Sequence, residues 1–583
     1  MIAALGGSED PFFHQRSTHN LIDDLSSLSD VTLYIGAGAS IERTGLTWAG
    51  LSAQLLEKDL GSYAARIAIV RSQSELASSS AIERQFARTH ADDPRGALVQ
   101  AIRDEFYSGP RVQPSYFNER VIAFANDLIG AGQSVVVVTP NYDDFLFDAV
   151  REIAKNGQAS FKDVRFFGFG MASSGKRATP LEPQLKALQG SLMNRQTLNI
   201  VYIHGFVSRH NDASISDTVK GAFSDSLAAG SAALHAVQPV FSERDYSLTR
   251  TNSEKVLSAL FRDRDVVVLG SSLTDPPLLQ ALSTSHEHNI RTKRTVQRFA
   301  VRPLQGIDFS QLDESVFASF RHVENERAEH LGLRLISPPF YFQAPQILEE
   351  ARVGLALRRG TNARARFYSD SGSTPRYGFR LNEWWREWNE DDDYPLTERQ
   401  LDSYLFLADI ALETVREILG CPDDEDLRIE AWIRWAPNQR ELRLWASSTG
   451  HWPDTVTARH EPIGLDSRYS STYAFLNGAP TYTDGDRKLT RWKSFLSKPI
   501  RYMDSSYHSY IPVGVISIAS MRSQAEGSLN PRYKDAILDL VKFLDLVGAV
   551  LFFPEFKTNL RQAGLSGTLD LGDIQKLLAT LQS

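Results

Sequence analysis

Asn141, Asp143 and Asp144 sit just past the valine run Val135–Val138, which Gly132 precedes and Pro140 stops. An amide next to carboxylates can orient a water or a sugar hydroxyl and stabilise a developing cation, without itself becoming a nucleophile. The same residue types also cap helices, and Phe145, Leu146 and Phe147 open an apolar helical segment, so the cap reading stays open. A second candidate is His204, followed by Gly205 at the end of the apolar run Leu198–Ile203. An imidazole titrates near neutrality and suits a general base, although a histidine in a loop is also commonly satisfied by backbone groups. A third is Gly36–Ser40, directly after Val31–Ile35 and before a helical segment from Leu51. Glycines let the backbone approach a phosphate, and helix amides point at the anion. The usual dinucleotide fingerprint needs a third glycine where this chain has Ile41.

These residues need strands to carry them. Four consecutive valines read as a strand buried on both faces, typical of a parallel sheet. Similar short apolar strands are expected at Val31–Ile35, Val164–Phe167, Leu198–Ile203, Val266–Leu269, Arg298–Val301 and Leu333–Ile336, with helical segments between them. The alternation predicts a doubly wound α/β domain over residues 21–350, following an N-terminal arm (1–20) that carries Phe12 and Phe13. Within it, residues 52–130 read as a helical insertion or lid. Gly270–Pro276 forms another glycine-bearing turn, with Asp275 and Pro276 starting the next helix. In such sheets ligand-handling groups gather beyond the carboxyl ends of the strands.

Residues 351–380, rich in arginine, glycine and serine, read as a linker. The segment 381–556 alternates at period two over Leu427–Trp435 and Glu441–Trp445, with Asn438 in the turn between them, as a hairpin does. An amphipathic helix precedes it at Leu401–Leu419. Strands at Ser497–Tyr502 and Val513–Ala519 follow, then an apolar helix at Ala536–Phe553. This is an α+β domain, followed by a polar tail (557–583) with a small helix near Asp573–Leu581. Its tryptophans, with Trp384, Trp385 and Trp388 before them, suit a core better than a ligand pocket.

At 583 residues the chain exceeds one hydrophobic core. With 63 basic and 71 acidic residues, net charge −8 and no long basic run, a general electrostatic grip on nucleic acid is disfavoured. No secretory signal or membrane-spanning run is seen, and the expectation is a cytoplasmic protein with no membrane partner. Cys421 alone excludes a disulfide framework and a multi-cysteine zinc site. His286 and His288 lack further ligands at recognisable spacing and read as a solvated helix end rather than a metal site.

Taken in order, Gly36–Ser40, Thr139–Asp143, His204–Gly205 and Gly270–Pro276 resemble the sirtuin fold. With Phe241–Tyr246, they are similar to the sirtuin-like NADases of bacterial anti-phage defence, the Thoeris-effector type, over roughly residues 25–345. The resemblance implies a Rossmann-like parallel sheet and NAD⁺ as substrate, cleaved at the nicotinamide–ribose bond, with no other cofactor. It further implies that Gly36, Ala37, Gly38 and Ser40 line the dinucleotide phosphates. Asn141 and Asp143 would lie beside the nicotinamide ribose and His204 would act as catalytic histidine. Thr139, Gly270, Ser272 and Asp275 would complete the cofactor-binding set. Sirtuin deacylases carry a four-cysteine zinc module and a glutamine where this chain has Pro140; both departures disfavour deacylation. Residues 395–555 resemble a GAF-type sensor domain by order and pattern. That likeness implies a regulatory unit, with a small nucleotide or a phage or defence protein as its expected partner, and a homo-oligomer is expected. A nucleotide sensor that binds NAD or an ADP-ribose-like signal without cleaving it is the alternative.

Overall fold

The computed structural model describes residues 16–44, 46, 48–60, 75–107, 116–155, 157–172, 177–209, 224–303, 314–338, 341–358, 398–434, 441–448, 460–463, 469–478, 480–484, 492–504, 507–530 and 532–552. Phe12, Phe13, most of the expected linker, Trp384, Trp385, Trp388, Trp435 and the expected helix near Asp573 lie outside them.

Nine strands belong to the first domain: β1 (Val31–Ile35), β2 (Val135–Thr139), β3 (Asp163–Gly168), β4 (Met171–Ala172), β5 (Thr197–Tyr202), β6 (Val237–Gln238), β7 (Asp265–Leu269), β8 (Arg298–Val301) and β9 (Arg334–Ile336). Seven of them form a parallel sheet in the order β3-β5-β2-β1-β7-β8-β9, while β4 and β6 make a small antiparallel ribbon. The expected strands are therefore present, and the valine run of β2 lies one strand from the centre. Successive residues point to opposite faces of the sheet, so one strand feeds two cores. Val31, Leu33, Val135 and Val137 enter one apolar cluster; Tyr34, Val136 and Val138 enter the other. Helices Tyr116–Gly130 and Phe145–Lys155 cover the first face, and Glu243–Phe261 and Pro276–Thr292 the second. The chain winds outward from β1 through β2, then returns to β7 on the other side of β1. This places a topological switch point between β1 and β7, where ligands bind in open α/β sheets.

The segment 52–130 divides into two parts. Helix Tyr116–Gly130 is a crossover helix of the main sheet, because Phe117, Val121, Phe124 and Leu128 lie in its core. Helices Trp48–Leu60, Glu75–Thr89 and Pro94–Tyr107 instead build a separate small core. That core is completed by Tyr142, Val207 and Phe241 from loops of the sheet, so this block sits on the loops after β2 and β5.

The second domain is an antiparallel sheet of β10 (Leu427–Ile433), β11 (Glu441–Ser447), β12 (His460–Pro462), β13 (Thr481–Asp484), β14 (Ser494–Asp504) and β15 (Tyr507–Ser520). Its order is β12-β11-β10-β15-β14-β13, and helices Glu398–Leu419 and Lys534–Phe552 pack against each other and against it. Residues 351–358, expected to begin a linker, are instead the end of helix Gln343–Arg358. The reason is apolar spacing: Ile347, Leu348, Ala351 and Leu355 fall on one face and are buried. This helix packs against Tyr116–Gly130 on one side and β15 on the other, and Phe342 meets Phe475 edge-on at 5.9 Å. The buried apolar cluster of the first domain continues through it into the second.

Between helix Gln343–Arg358 and Tyr116–Gly130, Arg352 donates to Asp127 at 2.8 Å and Arg120 donates to Glu349 at 3.1 Å. Within its own helix Arg352 also donates to Glu349 at 2.8 Å. Removing Arg352 leaves a carboxylate in an almost dry setting with one partner fewer. Arg352→Ala is expected to lower stability by about 2–3 kcal/mol in denaturant unfolding; an unchanged midpoint would show that the ion pairs contribute nothing net.

Candidate active site

The expected site residues Gly36, Ala37, Gly38, Ser40, Thr139, Asn141, Asp143, His204, Gly270, Ser272 and Asp275 lie at or just beyond the carboxyl ends of β5, β2, β1 and β7, four neighbouring strands. The glycines of the first turn are required by a close approach of backbone to backbone. The Gly36 N–H donates to Leu269 O and the Gly38 N–H to Gly270 O, both at 2.8 Å. A Cβ on Gly36 or Gly38 would lie 2.5 or 2.6 Å from Gly270 O. Gly270 itself has φ +63°, a left-handed conformation that glycine adopts without strain. The Ala39 and Ser40 amides bond within the turn, to Gly36 O and Ala37 O. Ala37 is exposed at its tip, and its N–H makes no hydrogen bond among the described residues. Of this turn's amides, that of Ala37 is the one open to a phosphate.

One polar cluster gathers around Asn141. Its Nδ2 donates to Gly36 O at 3.1 Å and to Ser40 Oγ at 3.0 Å, which fixes the amide plane. Its Oδ1 is buried and has no hydrogen-bond partner among the described residues. Thr139 holds the loop from below: its hydroxyl donates to Ile35 O and accepts from the Asn141 N–H. The Ser40 hydroxyl donates to Asp143 Oδ2 at 2.6 Å, and Asp143 Oδ1 accepts from the Phe145 N–H at 3.2 Å. Asp143 thus starts helix Phe145–Lys155 and orients Ser40 at once. Burial pushes its carboxyl up to about 6, against the Ser40 and Phe145 donors that favour the charged form. Asp144 turns the other way, to Arg209 and the Tyr107 side of the helical block. Its N–H donates to Tyr107 Oη at 2.9 Å and its carboxylate accepts from the Arg209 N–H at 3.0 Å.

A second cluster surrounds His204. The ring is buried, its Nε2 lies 3.7 Å from Asp275 Oδ2, and its Nδ1 has no hydrogen-bond partner among the described residues. Asp275 also accepts from Tyr34 Oη and Tyr246 Oη, each at 3.2 Å. Burial alone would raise this carboxyl; His204 and the two tyrosine hydroxyls outweigh it and hold it below the usual carboxylate range. Ser272, by contrast, is exposed and hydrogen-bonded to Thr274 at 2.6 Å. Tyr34 carries no sequence signal of its own, since it reads as a strand aromatic, and Tyr246 ends the Phe241–Tyr246 stretch without being marked as a site residue. No group of three or more metal-ligating side chains occurs among the described residues.

The helical block is tied to this edge by polar bonds to the same loops. Arg95 donates to Asp245 at 2.6 Å, Arg103 to Ser208 O at 2.8 Å and Tyr107 to Val207 O at 2.8 Å. The loops after β2 and β5 are therefore gripped from above as well as by the sheet.

With this geometry in place, residues 135–319 match the SIR2-like domain family. No curated protein matches the chain. Members of that family act on NAD⁺. The matched stretch begins at β2 and carries Asn141, Asp143, His204 and Asp275; the Gly36 turn lies before it.

Folding favours the protonated form of Asp143. Its contribution to stability is fully present below about pH 4 and is lost as pH rises through about 6. Asp143→Asn can keep the Phe145 N–H bond through its carbonyl oxygen and turn its NH₂ to Ser40 Oγ, while abolishing this titration. Between about pH 4 and pH 7 the variant should gain roughly 3 kcal/mol relative to the unaltered protein in urea unfolding. A difference that stays constant across that range would refute the burial argument. The seven-stranded parallel sheet with helices on both faces fits a Rossmann-like, sirtuin-like fold, and the family match over residues 135–319 supports it.

Proposed function

We propose that the protein hydrolyses NAD⁺ at the nicotinamide–ribose bond. The observation that carries the reading is the Asn141 amide: its NH₂ is held by Gly36 and Ser40, and its carbonyl oxygen is buried without a partner among the described residues. An unpaired buried acceptor is costly, and a ribose hydroxyl or a water beside the anomeric carbon would satisfy it. As the C1′–N bond breaks, its electron pair moves onto the nicotinamide nitrogen and the sugar becomes oxocarbenium-like. Water then adds to C1′, and its proton passes to neutral His204. The products are nicotinamide, ADP-ribose and a proton. Asp143 serves this chemistry through Ser40, and the exposed Ala37 N–H is available to a pyrophosphate oxygen.

Unrestrained loss of NAD⁺ kills a cell, so the reading extends to a defence effector whose hydrolysis is gated by the second domain. Support for the gate is the continuous packing from β15 through helix Gln343–Arg358 to Tyr116–Gly130, where the Asn118 amide donates to Ala39 O in the glycine turn at 3.2 Å. The GAF-like reading of the second domain is supported by its strand order, 3-2-1-6-5-4 within the domain, with helices at its start and end.

Purified protein incubated with NAD⁺ and followed by free nicotinamide tests the activity. Asn141→Ala and His204→Ala are each expected to lower turnover at least ~100-fold while circular dichroism and unfolding stay near those of the parent. Full turnover by folded Asn141→Ala would sink the proposal, and binding of NAD⁺ without nicotinamide release would favour a sensor. For the gate, Phe342→Leu loosens the contact with Phe475 and is expected to raise basal hydrolysis several-fold. A folded variant with unchanged basal rate would speak against coupling through this joint.

A further inference from the structure

We propose that Asp275 is the positioning residue of the His204 base, holding Nε2 so that Nδ1 is the nitrogen that takes the proton. The inference rests on the NAD⁺ hydrolase reading and deepens it.

Asp275 occupies the N-cap of helix Pro276–Thr292, where an aspartate ordinarily turns its carboxylate back onto the first free amides. Here it makes no side-chain cap hydrogen bond. Pro276 and Pro277 fill the first two helical positions, and a proline has no N–H to offer. Pro277 removes one of the two amides a cap carboxylate can take, and the carboxylate does not take the other; it remains at the helix's positive end, which favours its ionised form. It turns to side chains from three other elements: Tyr34 of β1, Tyr246 of helix Glu243–Phe261 and His204 after β5. The tyrosines donate to different oxygens, Tyr34 to Oδ2 and Tyr246 to Oδ1, which locks the carboxylate plane. Burial and the neighbouring Asp275 charge push both phenols up, so they stay protonated and act as donors.

A neutral imidazole carries one proton, and the partner of one nitrogen decides the state of the other. With Asp275 facing Nε2, the proton resides there and Nδ1 presents its lone pair. Nδ1 is also the buried atom without a partner among the described residues. Both facts assign the same nitrogen to the water. The Tyr246 ring lies 6.0 Å from the His204 ring, centre to centre, and limits its rotation. Asp275 therefore acts through His204 and not on the dinucleotide.

The test is Asp275→Asn, with Tyr34→Phe and Tyr246→Phe as milder variants that each remove one donor to the carboxylate. Asp275→Asn is expected to lower kcat about 100-fold with KM within about threefold of the parent, and each phenylalanine variant to lower kcat about tenfold. If Asp275 instead gripped the dinucleotide, KM would rise and kcat would hold; that result overturns the proposal. A readout independent of turnover is nitrogen NMR of histidine-labelled protein, with His204→Gln identifying the signal. The protonated nitrogen of His204 should be Nε2 in the parent, and Asp275→Asn should mix or reverse the tautomers. A parent protein with Nδ1 protonated would refute the assignment outright. Should NAD⁺ not be hydrolysed at all, the hydrolase reading fails, and the NMR experiment still decides whether Asp275 sets the tautomer.

Discussion

The contact on which the candidate site depends is the meeting of two strand-end turns, Gly36–Gly38 after β1 and Gly270 after β7. Their backbones touch with no side chain between them, and Gly36 and Gly38 donate across the gap to Leu269 and Gly270. Because β1 and β7 are neighbours at the switch point, this contact sets where both turns lie. Asn141 is anchored on Gly36 O, Ser40 follows from the same turn, and Asp143 follows from Ser40. On the other side, the turn that begins at Gly270 delivers Asp275 to His204. Glycine here is thus a requirement of the protein's own packing as much as of any phosphate.

The two faces of the sheet divide the chemistry. Ile35 and its neighbours on the first face lie under the crossover helix Tyr116–Gly130, which touches the glycine turn through Asn118. Tyr34, one residue earlier, points to the opposite face and reaches Asp275. The alternation of a single five-residue strand therefore links the turn that anchors Asn141 to the carboxylate beside His204. The helical block grips the loops between them through Tyr142, Val207 and Phe241. Helix Gln343–Arg358 then joins this framework to the second sheet without a break in the apolar core.

The strands were legible because their apolar runs are short, β-branched and bounded by turn residues; Val31–Ile35 and Arg298–Val301 match residue for residue. The two candidate roles of Asp143, cap and site, prove to be compatible, since one oxygen takes Phe145 N–H and the other Ser40 Oγ. The linker boundary was misplaced because arginine and glycine content outweighed the apolar face of Ala351 and Leu355. The segment 52–130 read as one unit because helical composition does not say which core a helix enters. Phe117 and Phe86 look alike in the chain and serve different cores.

From the chain alone came the parallel sheet, the glycine turn, and the asparagine, aspartate and histidine at strand ends. Each of these is encoded locally, by side-chain period, glycine placement and helix-capping chemistry. Tertiary structure alone decided that Asp275 faces His204, that Tyr34 and Tyr246 hold it, and that Ala37 offers the open amide of the turn. Those residues are 71 positions apart for His204 and Asp275 and 241 for Tyr34 and Asp275. Pro276 and Pro277 mark Asp275 as an unusual helix cap, but nothing local names the side chains it meets. Its partner is fixed by strand order, and strand order is a property of the whole fold.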